Sequence, residues 1–365
     1  MRASFNIWLS RDCTEWNAEP FVTFKKSVAS QQNQQKSSFN TIHVSNEAQK
    51  KSFEPGKRTS KNNQPHFFIS KPCHPGFVNK GNTCYANSIL QAISTVPALW
   101  SQGISNGVNL SASTTAFVSI MSKMSRSSST IDPSSFLRTL QSTISQLRPT
   151  FHYNVQQDVA EVLDLVLTEL AGPSNFAQDL SSLTITYTKT CNECFFSYNT
   201  EEFQTMLVLP VSNSVQSSLD NYLKEEQLCG SNQWFCPICE KLCDASLETR
   251  ISSCSKFLIV QLRRFSHNQG VFQKNNAIVQ CLPSTDSKTT DFLRLPAIVE
   301  DDVSLFNGYS LMATINHSGT LNNGHYWAYI KKANSWLLCN DTLVCDVKPS
   351  ALNNKSVYVL FYERK

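Results

Sequence analysis

One cysteine of the chain has the local setting of a nucleophile. Cys84 follows a turn that contains Gly81 and opens a helical run that must end near Pro97, so we expect it in the first turn of a helix. The unpaired N–H groups and positive dipole end of a helix start would lower the pKa of its thiol. The side-chain amide of Asn79 could reach the sulfur across the turn and, with the Cys84 backbone N–H, stabilise an oxyanion. Without a base, the same features fit a buried core cysteine and a turn asparagine.

His325 is the best candidate for that base. It opens a predicted strand after a loop rich in Gly and Asn, so a rigid element would fix the ring while Gly324 leaves room for a substrate. The next predicted strand ends at Asn340 and Asp341. A hairpin would bring these residues beside His325, where either could orient the imidazole, although both also fit ordinary turn chemistry. His317, which ends the preceding strand, is expected to shape the loop.

Two Cys-x-x-Cys pairs have the spacing of zinc ligands. The pairs are Cys191 with Cys194 and Cys236 with Cys239. Four thiolates would close a tetrahedral site, so the expected cofactor is one structural zinc ion. Cys229 and Cys243 lie close enough in sequence to replace a ligand, and four thiols without a metal are the alternative. Disulfides are not expected, because the chain lacks an export signal.

Composition divides the chain at about residue 75. Residues 1–75 hold 11 Lys or Arg against 5 Asp or Glu, whereas residues 76–365 hold 21 against 23. The first segment is rich in Ser, Asn, Gln and Lys, which predicts a disordered basic arm. A solvated tail is its simplest interpretation; binding of an acidic partner and an import signal are the alternatives. The slightly acidic remainder argues against a zinc-ribbon nucleic-acid binder.

Helical patterns dominate up to about Leu170, and strand patterns dominate from Leu183. The clearest helix spans Gln156 to Leu170, with apolar residues on one stripe. The predicted strands are Leu183–Lys189, Phe257–Phe265, Tyr309–Asn316, His325–Ile330 and Ser356–Tyr362.

Three separated motifs resemble those of the ubiquitin-specific proteases. Residues 76–91 are similar to the family's cysteine box, residues 309–330 with 336–341 to its histidine box, and residues 156–163 to the motif between them. The resemblance covers residues 76–362 and implies an α+β fold, a papain-like cysteine peptidase core with a helical thumb, a β-rich palm and zinc-ribbon fingers. The implied subdomains of a catalytic domain at 76–365 are a thumb at about 76–180, fingers at about 181–255 and a palm at about 256–365.

The resemblance also implies the activity, which is hydrolysis of the isopeptide bond after the C-terminal glycine of ubiquitin on conjugated proteins. Cys84 would attack the carbonyl and His325 would activate it. Asn340 would orient the histidine. Asn79 would stabilise the oxyanion, and Asp341 would be an auxiliary polar residue.

The resemblance further implies six residues that bind the extended C-terminal tail of ubiquitin. They are Asp158, Glu161, Gln157, Gly324, Tyr326 and Tyr309. The acids would hold basic residues of the tail, although a solvated helix face is their alternative. Gly324 and the two tyrosines would line the narrow passage that admits only glycines.

The expected partners are therefore ubiquitin and ubiquitinated proteins, with no nucleic acid and no membrane. The sequence lacks an apolar run of membrane-spanning length and the apolar region of a secretory signal, so we expect an intracellular monomer in the cytoplasm or nucleus. Two other functions stay open. One is an inactive ubiquitin-binding scaffold of the same fold, and the other is a protease for another ubiquitin-like modifier.

Overall fold

The computed structural model describes residues 74–98, 111–146, 148–171, 181–268, 271–282, 292–296, 308–320 and 323–365. The predicted basic arm at residues 1–75 lies outside the described residues except for His74 and Pro75.

Five α-helices are present in these residues. They are α1 Cys84–Ile93, α2 Ala112–Arg126, α3 Ser134–Ile144, α4 Val159–Ala171 and α5 Val215–Leu223. All ten residues of α1 are buried, so this helix runs through the interior. None of the described helices is both long enough and apolar enough to cross a membrane.

The predicted helix at Gln156 to Leu170 is α4, which begins later, at Val159. The carboxylate of Asp158 accepts the backbone N–H groups of Ala160 and Glu161 and so caps the helix. A side chain that binds these N–H groups competes with continuation of the helix toward its N-terminus.

Strands dominate the rest of the described chain. They are β1 Leu183–Cys191, β2 Ser197–Gln204, β3 Leu207–Pro210, β4 Glu226–Leu228, β5 Trp234–Cys236, β6 Lys241–Cys243, β7 Ala245–Cys254, β8 Phe257–Arg263, β9 Phe265–Asn268, β10 Val271–Lys274, β11 Phe292–Arg294, β12 Gly308–Gly319, β13 Gly324–Lys332, β14 Ser335–Asn340, β15 Leu343–Val347 and β16 Val357–Arg364. The strand predicted at Phe257–Phe265 is split into β8 and β9. Arg264 lies between them, and its backbone N–H turns back to the carbonyl of Leu262.

An eight-stranded sheet carries His325. Its order is β15-β14-β13-β12-β16-β8-β3, with β11 paired to β12. β13 is antiparallel to β12 on one side and to β14 on the other, so β13 and β14 form the expected hairpin. In this register Ser318 lies opposite His325, and His317 lies opposite Tyr326.

Both faces of this sheet are buried, as β8 illustrates. Phe257 and Ile259 point into the core that contains α1 to α4, whereas Leu258 and Val260 point into a second core with α5 and β7. Because side chains alternate along a strand, a strand buried on both faces is a continuous apolar run. The helices therefore cover the face on which α1 contacts β13.

A second sheet, of order β2-β1-β7-β4, and the β5–β6 hairpin carry the Cys-x-x-Cys pairs. Cys191 ends β1 and Cys236 ends β5, so each pair lies at the turn that follows a strand.

Candidate active site

Cys84 is the first residue of α1 and is 2% exposed. The backbone N–H of Tyr326 lies near its sulfur and lowers the pKa of the thiol. Tyr326 directly follows His325 on β13, so the structure brings the candidate nucleophile to the strand start that carries the candidate base.

The electrostatic setting of Cys84 differs from the sequence prediction. Burial raises the pKa of the Cys84 thiol, and this effect exceeds the lowering by the backbone N–H groups of Tyr326, Tyr85 and Cys84 itself. The predicted net lowering of this pKa is therefore wrong, because the helix-start effect is outweighed by the removal of the sulfur from water. A buried thiol of this kind needs a neighbouring base to take its proton.

The ring of His325 is oriented by Asn340, whose side-chain oxygen lies 2.7 Å from Nε2. An amide oxygen only accepts hydrogen bonds, so Nε2 must carry a proton. In the neutral ring Nδ1 then holds the lone pair, which is the arrangement that a general base requires. The ring also stacks on Trp327, with centroids 6.3 Å apart.

Asp341 connects the end of β14 to the loop before Cys84. Its Oδ2 accepts from the side-chain amide of Asn79 at 3.0 Å, while Asn79 Oδ1 accepts the backbone N–H groups of Gly81 and Thr83. The amide of Asn79 is therefore held by a carboxylate, in a loop that ends where α1 begins.

Asn87, which the sequence interpretation missed, is the second donor to Asp341. Its Nδ2 lies 2.8 Å from Asp341 Oδ1, and the residue is 2% exposed. It stands three positions after Cys84, which puts the two side chains on one side of α1. That spacing is the sequence signal that could have identified it.

The same loop requires a glycine at its start. Phe77 donates its backbone N–H to the carbonyl of Asp341 at 2.8 Å. A Cβ atom on Gly76 would lie 2.6 Å from that carbonyl oxygen, closer than side-chain atoms approach backbone in proteins. The loop therefore docks on the end of β14 through backbone as well as side chains.

Comparison with known proteins decides the family. A family model described as ubiquitin carboxyl-terminal hydrolase matches residues 75–362. The chain belongs to this family. The family resemblance inferred from the three sequence motifs is thus confirmed.

Relatives in a yeast and a plant carry the family name. A probable ubiquitin carboxyl-terminal hydrolase 16 of Schizosaccharomyces pombe is 26% identical over 319 residues, which cover 80% of this chain and 67% of that protein. Ubiquitin carboxyl-terminal hydrolase 26 of Arabidopsis thaliana is 28% identical over 309 residues, which cover 77% of this chain and 27% of that protein. The chain therefore spans only part of these relatives.

Solved structures share the fold. A SAGA Ubp8/Sgf11/Sus1/Sgf73 DUB module bound to ubiquitin aldehyde matches with a TM-score of 0.62 at 22% identity, covering 80% of this chain and 69% of that one. The same module bound to monoubiquitin matches with a TM-score of 0.62 at 20% identity. This likeness confirms the predicted α+β class.

Asp158 and Glu161, the acids predicted to bind the ubiquitin tail, differ from each other in their surroundings. Asp158 precedes α4 instead of projecting from it, and its second oxygen accepts the hydroxyl of Tyr358 at 2.8 Å. Burial raises the pKa of Asp158. Glu161 is exposed and forms an ion pair with Arg148 at 2.8 Å, and Gln157 lines the same small pocket. Glu161 is thus the more accessible of the two acids.

The residues predicted to line the glycine passage are separated in the structure. Gly324 and Tyr326 flank His325 at the start of β13, and the N–H of Tyr326 lies near the Cys84 sulfur. Tyr309 is fully buried near the opposite end of β12, where its hydroxyl donates to the carbonyl of Ser255. Eight residues of extended chain, roughly 26 Å, separate it from His317. Tyr309 therefore lies apart from Gly324 and Tyr326 in this structure.

The four cysteines of the two pairs meet as predicted, with all their sulfurs within 4.8 Å of one another. The Cys194–Cys236 and Cys191–Cys239 sulfur distances are 3.5 and 4.0 Å. Four sulfurs each about 2.3 Å from a zinc ion would stand about 3.8 Å apart in a tetrahedron. The geometry and the all-thiol donor set therefore fit zinc.

Two further cysteines were considered as substitute ligands. Cys243 is buried and lies within 4.8 Å of the Cys239 sulfur and the Glu193 carboxylate. Cys229 is exposed and belongs to neither of the metal-ligand groups found among the described residues. Only Cys243 is placed where it could replace a ligand.

Proposed function

We propose that this chain is a thiol-dependent deubiquitinase that cleaves the isopeptide bond after the C-terminal glycine of ubiquitin. The observation that carries the proposal is the arrangement at the start of β13, where the Tyr326 N–H lies near the Cys84 sulfur and the Asn340 side-chain oxygen lies 2.7 Å from the His325 ring. Family membership supports the substrate, and the site geometry supports the reaction type.

In the first half of the proposed reaction, His325 Nδ1 takes the proton of the Cys84 thiol. The sulfur then attacks the isopeptide carbonyl carbon, and the negative oxygen receives hydrogen bonds from the Asn79 amide and the Cys84 backbone N–H. When the C–N bond breaks, the leaving lysine amine takes the proton from His325, and a thioester to Cys84 remains.

In the second half, His325 removes a proton from a water molecule that attacks the thioester. The C–S bond breaks, the sulfur regains a proton, and ubiquitin leaves with a free carboxylate. Because the pKa of Cys84 is raised, proton transfer to His325 would accompany sulfur attack rather than precede it by a stable ion pair.

For the ubiquitin tail, we propose Glu161 as the main acidic contact, which would exchange its exposed partner Arg148 for a basic residue of the substrate. Asp158 would act chiefly by capping α4, and Gln157 would add a polar contact beside Glu161. Gly324 and Tyr326 would line the passage to the sulfur.

The subdomain boundaries proposed from the family pattern follow the two sheets except at β3, which pairs with β8 in the eight-stranded sheet although its residues fall in the range of the fingers. Helices α1 to α4 would form the thumb, the β2-β1-β7-β4 sheet with the β5–β6 hairpin the fingers, and the eight-stranded sheet the palm. In the fingers, the four clustered cysteines would hold zinc. The ion would supply structural cross-linking of two turns that have little core of their own.

The test uses ubiquitin with an electrophile at its C-terminus, beside the same electrophile on another ubiquitin-like modifier. We expect the ubiquitin probe to label the wild-type chain and to leave the Cys84→Ala variant unlabelled. Cys345→Ala, which removes an exposed thiol, is the matched control and should label normally. Labelling of Cys84→Ala would overturn the assigned nucleophile. Labelling only by another modifier would overturn the substrate, and no labelling by either would favour a ubiquitin-binding scaffold.

A further inference from the structure

A buried histidine that the proposed mechanism does not use lies against the start of β13. His317 is 2% exposed and stands opposite Tyr326 in the β12–β13 register. The ammonium group of Lys274, at the end of β10, lies 3.1 Å from its Nδ1, 2.8 Å from its carbonyl oxygen and 3.5 Å from the carbonyl oxygen of Gly319. Lys274 therefore binds both the ring and the backbone where β12 ends.

The lysine determines the state of the ring. An ammonium group only donates hydrogen bonds, so Nδ1 of His317 must accept and the neutral ring carries its proton on Nε2. Burial and the nearby charges of Lys274 and His325 lower the pKa of His317 to about 4. Burial and the charges of Arg264 and Lys355 lower the pKa of Lys274 to about 8, which leaves it mainly protonated at neutral pH.

The other edge of the ring lies against Gly324. A Cβ atom built on Gly324 would be 1.9 Å from His317 Nε2, so ring and backbone are in direct contact there. The ring also packs at a tilt against Tyr326, with centroids 4.5 Å apart, and against Phe265 at 5.6 Å. Gly324 immediately precedes the candidate base, so a shift of the ring would move the backbone that carries it.

We propose that Lys274 is a positioning residue for the active site, which fixes the His317 ring against Gly324 and thereby the backbone that presents His325 and the Tyr326 N–H to Cys84. This inference rests on the proposed function for its kinetic test only. A purely structural lysine would affect stability or substrate binding alike at every pH, whereas a residue that controls the His317 ring makes a distinct prediction.

That prediction concerns acid pH. The titratable or charged groups that face His317 are Lys274 from β10, His325 and Tyr326 from β13, and Tyr358 from β16. Replacing Lys274 by an uncharged residue removes one cause of the lowered pKa, so His317 takes up a proton at a higher pH than in the wild-type chain. The protonated ring would then gain a second N–H donor and a positive charge beside the base.

The experiment compares Lys274→Met, Lys274→Arg and Lys355→Met in the full chain, with ubiquitin that carries a fluorogenic amide at its C-terminus. For Lys274→Met we expect kcat to fall about tenfold with little change in KM, as a displaced catalytic group predicts, and the acid limb of the kcat/KM profile to move to higher pH. Lys274→Arg should restore most of the rate and the original limb. Lys355→Met, the matched control, removes an exposed lysine near Lys274 and should behave as wild type.

If Lys274→Met lowers kcat/KM equally at all pH values, or lowers it through a higher KM, the positioning role is overturned. If Lys274→Met does not fold, Lys274→Gln takes its place, because it keeps a donor without the charge. Its acid limb should still move upward, and an unmoved limb would refute the inference. If the wild-type chain does not hydrolyse the ubiquitin substrate, the proposed function fails. NMR titration of the His317 ring then tests separately whether Lys274 controls the ring. An unchanged His317 titration in the uncharged variant would then overturn the proposal.

Discussion

Replacing Asp341 by alanine should lower kcat about 100- to 1000-fold, although the side chain need not touch the substrate. Its carboxylate receives two amide donors, Asn79 at 3.0 Å and Asn87 at 2.8 Å. A hydrogen bond to a charged group contributes about 1.5–3 kcal/mol, so its loss is enough to release the Asn79 amide from its orientation. Loss of one oxyanion donor costs about 2.7–4 kcal/mol in the transition state, which corresponds to the stated fall in rate.

The substitution Asp341→Asn should be much milder, within about tenfold, because one of its amide atoms can still accept from Asn79. The other would present N–H to Asn87, whose Oδ1 has no hydrogen-bond partner among the described residues and could accept after the amide rotates. The difference between alanine and asparagine therefore separates loss of the contacts from loss of the charge.

The assay is steady-state hydrolysis of ubiquitin with a fluorogenic C-terminal amide, in a double-mutant cycle with Asn79→Ala. If Asp341 acts through Asn79, the double variant should be no slower than the slower single variant, because both changes remove the same donor. Multiplicative losses in the double variant would refute the reasoning and assign Asp341 a separate role. Denaturant unfolding of each variant controls for a general loss of stability.

Three further predictions follow from particular contacts. Gly324→Ala should abolish probe labelling, since its Cβ would lie 1.9 Å from His317 Nε2. The control Gly230→Ala, at a position with a positive φ but open space around it, should keep activity and lose only about 1 kcal/mol of stability in urea unfolding. The free energy of unfolding should fall as the pH drops from the ordinary histidine pKa of 6.5 through about 4, because His317 binds a proton in the unfolded chain but not in the folded one. His317→Asn should flatten this dependence, and an unchanged slope of unfolding free energy against pH in that variant would contradict the prediction. Metal analysis should find about one zinc ion per chain, lost in Cys236→Ser but kept in the exposed-thiol control Cys229→Ser, and zinc-free wild-type protein would count against the site.

The sequence was sufficient for those parts of the candidate site whose geometry is local. A glycine turn followed by an apolar helical run places Cys84 at a helix start, and the hairpin after β13 places Asn340 beside His325. Within each Cys-x-x-Cys pair, one turn likewise holds both thiols. In each case a few consecutive residues determine the relevant distance.

Sequence prediction and structure differ where tertiary contacts decide. Strand periodicity assigned Tyr309 to β12 but could not tell which end of a twelve-residue strand meets α1. Helical periodicity continued through Asp158, although its carboxylate caps the helix there. The raised pKa of Cys84 depends on how much water the surrounding elements exclude, and no motif encodes that burial.

The end of β14 shows why the site needs such contacts. Asn340, the last residue of β14, contacts the His325 ring, whereas Asp341, the first residue after the strand, contacts the loop before Cys84. Asp341 has a left-handed backbone with φ of 51°, so the strand ends at the residue before it. One dipeptide therefore orients the proposed base and holds the proposed oxyanion donor, although Asn79 lies 262 positions away in sequence. An insertion between Asn340 and Asp341 would leave both residue types present but would break the link between the two halves of the site.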